Sequence, residues 1–163
     1  MGAASTLDAV RETPEYRASK AKLADREWRL DNLYTIKNAD GIAVPFKRNA
    51  AQVHYSHREW FRDTILKSRK LGFSTFISIR MLDGCMFASN TTCGIIDQTL
   101  DDATAKIAMA KFAYDRMPAS LRRGMPLTVN NQHEWQFANG SKIVAGTAYR
   151  GDTPQMLHVS EYG

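Results

Sequence analysis

The sequence predicts an α/β domain with a mostly parallel sheet. Short apolar runs that read as buried strands alternate with segments long enough to be helices, and parallel neighbours need such crossovers. One run leads straight into a basic loop and a helix start, Thr64-Ile65-Leu66-Lys67-Ser68-Arg69-Lys70-Leu71-Gly72-Phe73-Ser74-Thr75. A strand, a compact loop and a helix N-terminus in that order bring free backbone N–H groups and cations to one point, which suits a phosphate chain. The usual phosphate loop places Lys directly before Ser or Thr. Here Phe73 holds that place, and the cations stand earlier, at Lys67, Arg69 and Lys70.

The totals allow one domain with a real core and leave no room for two sizeable ones: 163 residues, 44% hydrophobic and 24% charged. Twenty-two Lys and Arg against 17 Asp and Glu leave a net charge of +5, a surplus that fits a polyanionic partner. Cys85 and Cys93 sit among apolar or small residues and read as reduced, buried thiols rather than a disulfide or a metal site. No run approaches the roughly 18 consecutive apolar residues of a membrane span. The N-terminus lacks the basic-then-apolar order of a secretory signal, so the expectation is a cytoplasmic protein that does not contact membrane.

Residues 1–13 are small and polar, without apolar periodicity, and read as a loose end. Pro14 opens a charged segment, Glu15 to Leu30, expected to be one solvated or partner-facing helix with Pro in its first turn. Residues 1–30 are therefore set apart as an arm, and 31–163 as the body. Leu33–Ile36 and Ile42–Phe46 flank Asp40-Gly41, a strong hairpin signal with Pro45 at an edge or strand end. Asn49 is placed to cap a helix running to about Arg62, with Gln52 one turn in and Trp60 and Phe61 as packing groups. His54 and His57, at i and i+3, share a helical face. A surface or packing role is preferred for them, because no third ligand stands at a recognisable spacing.

The helix after the basic loop, Ser74 to about Ala88, is apolar on most sides and is expected to be buried. A buried strand follows within Thr92–Thr99, then Asp101-Asp102 as favourable N-terminal charge for a helix from Ala103 to Met117. Pro118 stops that helix, and Leu121-Arg122-Arg123-Gly124 reads as a basic loop. Leu127–Asn130 and Glu134–Phe137 alternate, and Asn139-Gly140 predicts that Trp135 to Ala148 is a hairpin. Arg150-Gly151-Asp152 lies in a polar turn and is not taken as an adhesion motif. The last segment, Met156 to Gly163, reads as a buried strand with a carboxylate, Glu161, at its C-terminal tip. Ligands of open α/β sheets bind at the carboxyl ends of strands, so the loop and Glu161 are expected to face one crevice.

Phosphoryl transfer to water needs the phosphates cradled, a divalent metal held, charge neutralised and a water oriented. Backbone N–H groups from Leu71 to Thr75 offer the cradle, and Ser74 or Thr75 a hydroxyl for Mg²⁺. Arg69 and Lys67 offer charge, Arg with a bidentate grip. Glu161 is placed to polarise the attacking water.

The stretch Lys67 to Thr75 closely resembles the deviant phosphate loop of the large terminase subunit of tailed bacteriophages, a family in which the lysine is often displaced to the loop's start or replaced there by arginine. Leu157-His158-Val159-Ser160-Glu161-Tyr162-Gly163 resembles that family's Walker B segment. Asn32 to Gln52, with Val44-Pro45-Phe46 and Asn49-Ala50-Ala51-Gln52, is similar to its adenine-contacting segment, and Asn139-Gly140-Ser141 and residues 150–155 also look familial.

The resemblance covers about residues 30–163. It implies a three-layer P-loop ATPase of the additional-strand type, with helices on both faces of a mostly parallel sheet, ending after the Walker B strand. It implies ATP and Mg²⁺ as cofactors, with Lys67, Ser68, Arg69, Lys70, Leu71, Gly72, Phe73, Ser74 and Thr75 around the phosphates. Gln52 would contact adenine, Arg69 and Glu161 would be catalytic, and Ser74 and Ser160 would hold Mg²⁺, Ser160 through water. Implied partners are double-stranded DNA, a portal protein and a small terminase subunit. The full-length motor would form a homo-oligomeric ring at the procapsid portal in the host cytoplasm.

The sequence departs from the family at Phe73, where Lys is usual, and at Ser160, where many Walker B strands carry Asp. It also stops two residues after Glu161, the pattern of a truncated product. A helicase-type DNA-dependent ATPase and a catalytically inert fragment are the alternative expectations.

Overall fold

The computed structural model describes residues 13–66, 70–151 and 153–160. The first charged segment forms two helices, α1 (Pro14–Ala24) and α2 (Arg26–Asn32), instead of one. Asp25 divides them. Its backbone is extended, and its carboxylate accepts from the N–H groups of Glu27 (2.9 Å) and Trp28 (3.2 Å), so it starts a new helix where the first one ends. No residue of α1 is buried. The solvated-helix expectation fails for α2: Leu30 is fully buried, and Arg29 donates to Asp83 through Nε (2.8 Å) and Nη2 (2.7 Å).

A hairpin follows, β1 (Thr35–Lys37) with β2 (Ala43–Pro45), antiparallel with Ile36 opposite Val44. Asn38 Oδ1 accepts from the N–H groups of Asp40 and Ile42, and Gly41 takes φ +81°, which the turn requires. Helix α3 (Ala50–Ser56) has the expected Asn49 cap but ends six residues before Arg62. Residues 57–66 are irregular, and Trp60 and Phe61 are 82% and 86% exposed. They are not packing groups: Glu59 is drawn to Arg26 and Arg80, and the Trp60 N–H to Asp63 Oδ2, and the chain turns outward between these anchors. The strand expected at Thr64–Lys67 does not form over Thr64–Leu66, where Leu66 is fully exposed; Lys67 lies outside the described residues.

Helix α4 (Phe73–Phe87) is apolar all round and is buried at Phe76, Ile79, Met81, Leu82 and Cys85. It leads to β3 (Thr92–Ile96), then α5 (Leu100–Asp115), capped by Thr99 and carrying Asp101 and Asp102 as acids in its first turn. Residues expected as a basic loop form a short helix, α6 (Ala119–Gly124), begun at Pro118. Strands β4 (Leu127–Asn130), β5 (Glu134–Phe137), β6 (Lys142–Gly146) and β7 (Met156–Val159) complete the chain.

The main sheet has the order β4-β5-β6-β3-β7 and is mixed, not mostly parallel. β3 runs parallel to both β6 and β7, whereas β4–β5 and β5–β6 are antiparallel. The reason is local: β4, β5 and β6 are joined by turns of three and four residues, and turns that short join only antiparallel neighbours.

Register puts Cys93, Ile95, Ile143, Ala145, Met156 and His158 on one face. Both long helices lie there. Cys85 Sγ of α4 is 3.6 Å from Cys93 Sγ, both as free thiols, and Met156 fills the space over Gly84. Tyr114 of α5 packs edge-on to Trp135 and Phe137. The opposite face carries Val144, Leu157 and Val159, with the Tyr149 ring and Leu157 laid over Gly94, where any side chain would collide with them. Leu157 and Val159 remain 48% and 42% exposed. The expected three-layer arrangement, helices on both faces, is therefore not met by α4 and α5.

Asn139-Gly140-Ser141 acts at the far end of α4. Asn139 Nδ2 donates to the carbonyls of Cys85 and Ala88, and Ser141 Oγ to Ala88 (2.8, 2.8 and 2.9 Å), satisfying the helix's last acceptors. Among the described residues no helix is long and apolar enough to cross a membrane.

The α2–α4 contact is charged and nearly dry. Tyr34 Oη also donates to Asp83 (2.6 Å), and burial, with Asp83 beside it, holds the Tyr34 hydroxyl well above its ordinary pKa. Removing one partner of a buried pair strands the other. Asp83→Ala should therefore lower the unfolding free energy by about 3–5 kcal/mol in urea titrations, whereas a loss within ~0.5 kcal/mol would show that the pair is not needed.

Candidate functional site

Gln52 links α3 to the start of α4. Its N–H is capped by Asn49 Oδ1 (3.0 Å), and its Oε1 accepts from the Asn49 N–H (3.1 Å), a reciprocal capping box. Its Nε2 reaches across to the carbonyls of Leu71 (3.2 Å) and Gly72 (3.1 Å), and Asn49 Nδ2 adds a bond to Leu71 (3.1 Å). Only 3% of Gln52 is exposed. Both ends of its amide are thus engaged, Oε1 in the cap of α3 and Nε2 in holding the loop's carbonyls toward α3.

Gly72 is the N-cap of α4, left-handed at φ +70°, and a Cβ there would stand 3.1 Å from Gln52 Nε2. Both the backbone sign and the close approach favour glycine. Lys70 is also left-handed, at φ +67°, a conformation that strains a non-glycine residue and turns the loop sharply. The Gly72 carbonyl takes the first helical bond, from Phe76 (3.0 Å). No side chain caps α4, and its first turn carries no acid. Its first N–H groups, from Phe73 to Thr75, therefore leave the positive end of the helix dipole uncompensated by any side chain.

The side chain of Phe73 points away from this end. It is 5% exposed and packs edge-on against Tyr55 (5.8 Å) and Phe76 (6.2 Å). A lysine at this position would have to leave the core to reach an anion, so position 73 contributes only its N–H. Leu71 is half-buried against the core. Thr75 Oγ1 lies 3.8 Å from Met109 Sδ of α5, and the Ser74 carbonyl accepts from Ser78 Oγ (2.9 Å). Lys70 is exposed beside them. Lys67, Ser68 and Arg69 lie outside the described residues.

The C-terminal part of α4 packs on the beginnings of β3 and β7, so its N-terminus lies toward their carboxyl ends. Two residues meet at those ends. Ser160 follows β7 and donates its N–H to the Ile96 carbonyl (2.9 Å), which sets it beside Asp97, the residue after β3, whose charged form it favours. Asp97 is 5% exposed, accepts from the Gln98 N–H (2.9 Å) and forms an ion pair with Lys106 of α5. Burial pushes the Asp97 carboxyl up, but the Lys106 ammonium and the hydrogen bonds outweigh it and hold the pKa below the ordinary aspartate value. Glu161 lies outside the described residues.

Asp97 and Lys106 were not among the residues expected at the site. Asp97 has the same signature as Glu161, an acid directly after an apolar run, Cys93-Gly94-Ile95-Ile96. That signal was open to reading, but only Glu161 is taken as a strand-tip acid in the sequence. His54 and His57 face Arg58 and Glu27 respectively, and the described residues hold no group of three or more His, Cys, Asp or Glu suited to a metal. An Mg²⁺ ion held mainly through water and substrate phosphates needs only one or two protein groups. The Ser74 hydroxyl and the Ser160–Asp97 pair are oxygen donors of that kind.

No family model matches the chain, and no curated protein matches it.

The Asp97–Lys106 pair gives a pH signature. A carboxylate with a depressed pKa stabilises the fold above its unfolded value and loses that contribution as the pH falls through its folded value. Asp97→Asn should cost on the order of 3 kcal/mol at neutral pH. The gap to wild type should close below the ordinary value of 3.8 in denaturation curves taken across acid pH. A gap that persists unchanged at pH 2–3 would show that the charge is not its source.

Proposed function

We propose that this chain is the ATP-binding and hydrolysing part of a viral DNA-packaging motor of the terminase large-subunit type, with a P-loop of the additional-strand class. The observation that carries the reading is the uncapped start of α4, with left-handed Gly72 and Lys70 before it and Gln52 gripping the two carbonyls. Holding those carbonyls back toward α3 favours N–H groups facing outward, the arrangement that takes up phosphate oxygens.

In this reading the amides of Gly72 to Thr75 bind the phosphate chain, and the Ser74 hydroxyl and Ser160 hold the hydrated Mg²⁺, which would neutralise phosphate charge. Lys67, Arg69 and Lys70 supply the positive charge that Phe73 does not, with Arg69 meeting the charge that builds on the transferring phosphoryl. Glu161, one residue beyond Ser160, orients the attacking water. Gln52 contacts adenine only if its amide exchanges a loop carbonyl for the base, so nucleotide binding and loop position are coupled through it. Double-stranded DNA meets basic groups such as Arg122 and Arg123 of α6. A portal protein and a small terminase subunit are the proposed protein partners.

One observation favours a second reading, a module that binds phosphate without turnover. Thr64–Leu66 forms no strand and Leu66 is fully exposed, so no strand leads into the loop there, whereas a catalytic site is best built on rigid elements.

A fluorescent ATP analogue titrated with Mg²⁺ separates the readings. Arg69→Ala should weaken binding by about 10-fold or more, the loss of a charge-assisted bond worth roughly 1.5–3 kcal/mol. Glu161→Gln should leave binding intact and reduce phosphate release by about 100-fold or more. Binding without any wild-type turnover supports the second reading, and no saturable binding removes both.

A further inference from the structure

The segment between α3 and the candidate phosphate loop sorts its side chains by chemistry. Its acids are occupied. Glu59 bridges Arg26 (3.0 Å) and Arg80 (2.5 Å), while Asp63 accepts from the Trp60 N–H (2.8 Å). The Glu59 pairs pin the start of a tight turn to the body, and the Asp63–Trp60 bond closes it. What the turn presents to solvent is Arg58, Trp60, Phe61 and Arg62, all exposed, with the two rings at 82% and 86%. The Arg62 guanidinium stands 5.7 Å from the Phe61 ring centroid, and Arg58 Nη1 is 3.1 Å from His54 Nε2.

Two adjacent large aromatic side chains left almost wholly in water carry a solvation cost that packing elsewhere in this chain avoids. Arg58 and Arg62 flank the two rings in sequence, so a hydrophobic protein partner seated on the rings would have to desolvate both guanidinium groups. Flat rings interleaved with arginines suit a ligand with exposed π faces and a phosphate backbone. A duplex keeps its base faces stacked on each other, whereas a single strand offers them.

We propose that residues 58–62 are a single-stranded nucleic-acid contact: the Trp60 and Phe61 rings stack on unpaired bases while Arg58 and Arg62 meet the flanking phosphates. The contact stands on this turn alone and is independent of ATP binding at α4. It adds an unpaired strand to the double-stranded partner proposed above. Sequence preference is expected to be weak, because every base has a π face.

The test is a titration of the whole chain with short oligo-dT, read by tryptophan fluorescence. Trp135 is fully buried and Trp28 only half-exposed, so saturable quenching reports mainly Trp60. Trp60→Leu should abolish the quenching and, with Phe61→Ala, weaken binding measured by anisotropy by about 5-fold or more per ring. Trp60→Phe, which keeps a π face, should retain most of the affinity. Arg58→Ala and Arg62→Ala should each flatten the salt dependence by about 0.7 in log–log slope. Because all four side chains are exposed, circular dichroism should show every variant folded.

Heparin, a polyanion without bases, separates stacking from charge. If heparin binds as tightly as oligo-dT and Trp60→Leu changes neither affinity, the proposal fails. It fails equally if duplex DNA is preferred, if only ATP quenches the fluorescence, or if no oligonucleotide binds.

Discussion

A helix that is apolar on every side has to be surrounded, and surrounding α4 organises the rest of this chain. The sheet covers it from below through Cys93 and Met156, and α2 covers it from above through Leu30 and the Arg29–Asp83 pair. Asn139 and Ser141 tie off its C-terminus. Burial is therefore what aims the opposite end: with Phe73 anchored between Tyr55 and Phe76, the first turn cannot rotate, and its N–H groups keep one direction. The interaction that completes the arrangement is the Gln52 amide, which fixes the two carbonyls preceding that turn.

This gives the two departures from the resembled family a physical context. Position 73 is a core position here, so a cation there would cost packing as well as charge burial. The displaced cations at Lys67, Arg69 and Lys70 are compatible with a loop whose turn is made by left-handed Lys70 and Gly72. Ser160 has no carboxylate of its own, but the pairing of β7 with β3 sets it beside Asp97. Lys106 already neutralises that acid, so Asp97 orients Ser160 more readily than it replaces an aspartate at that position.

What was legible in the sequence was whatever local chemistry decides. Asp40-Gly41 and Asn139-Gly140 gave their hairpins, Asn49 gave its cap, and the apolar run from Phe76 to Leu82 gave a buried helix. What was not legible depends on partners far away in the chain. Arg29 looks like a solvated charge until Asp83, 54 residues later, meets it. Trp60 and Phe61 look like core because large rings usually are, and only the anchoring of Glu59 and Asp63 turns them out. The mixed sheet followed from the short turns around 131–133 and 138–141, which outweighed the alternation of helices and strands earlier in the chain. At the site, the placing of Asp97 beside Ser160 required the pairing of β3 with β7, which no local signal announces.

The account stands on the start of α4 being a phosphate site. Backbone amide NMR of the chain titrated with Mg²⁺ and ATP tests this most directly. The account predicts saturable shifts concentrated at the amides of Leu71 to Thr75 and at the Gln52 side-chain amide, and smaller ones for Mg²⁺ and adenosine. Shifts absent from those amides, or equal with adenosine and ATP, would contradict it.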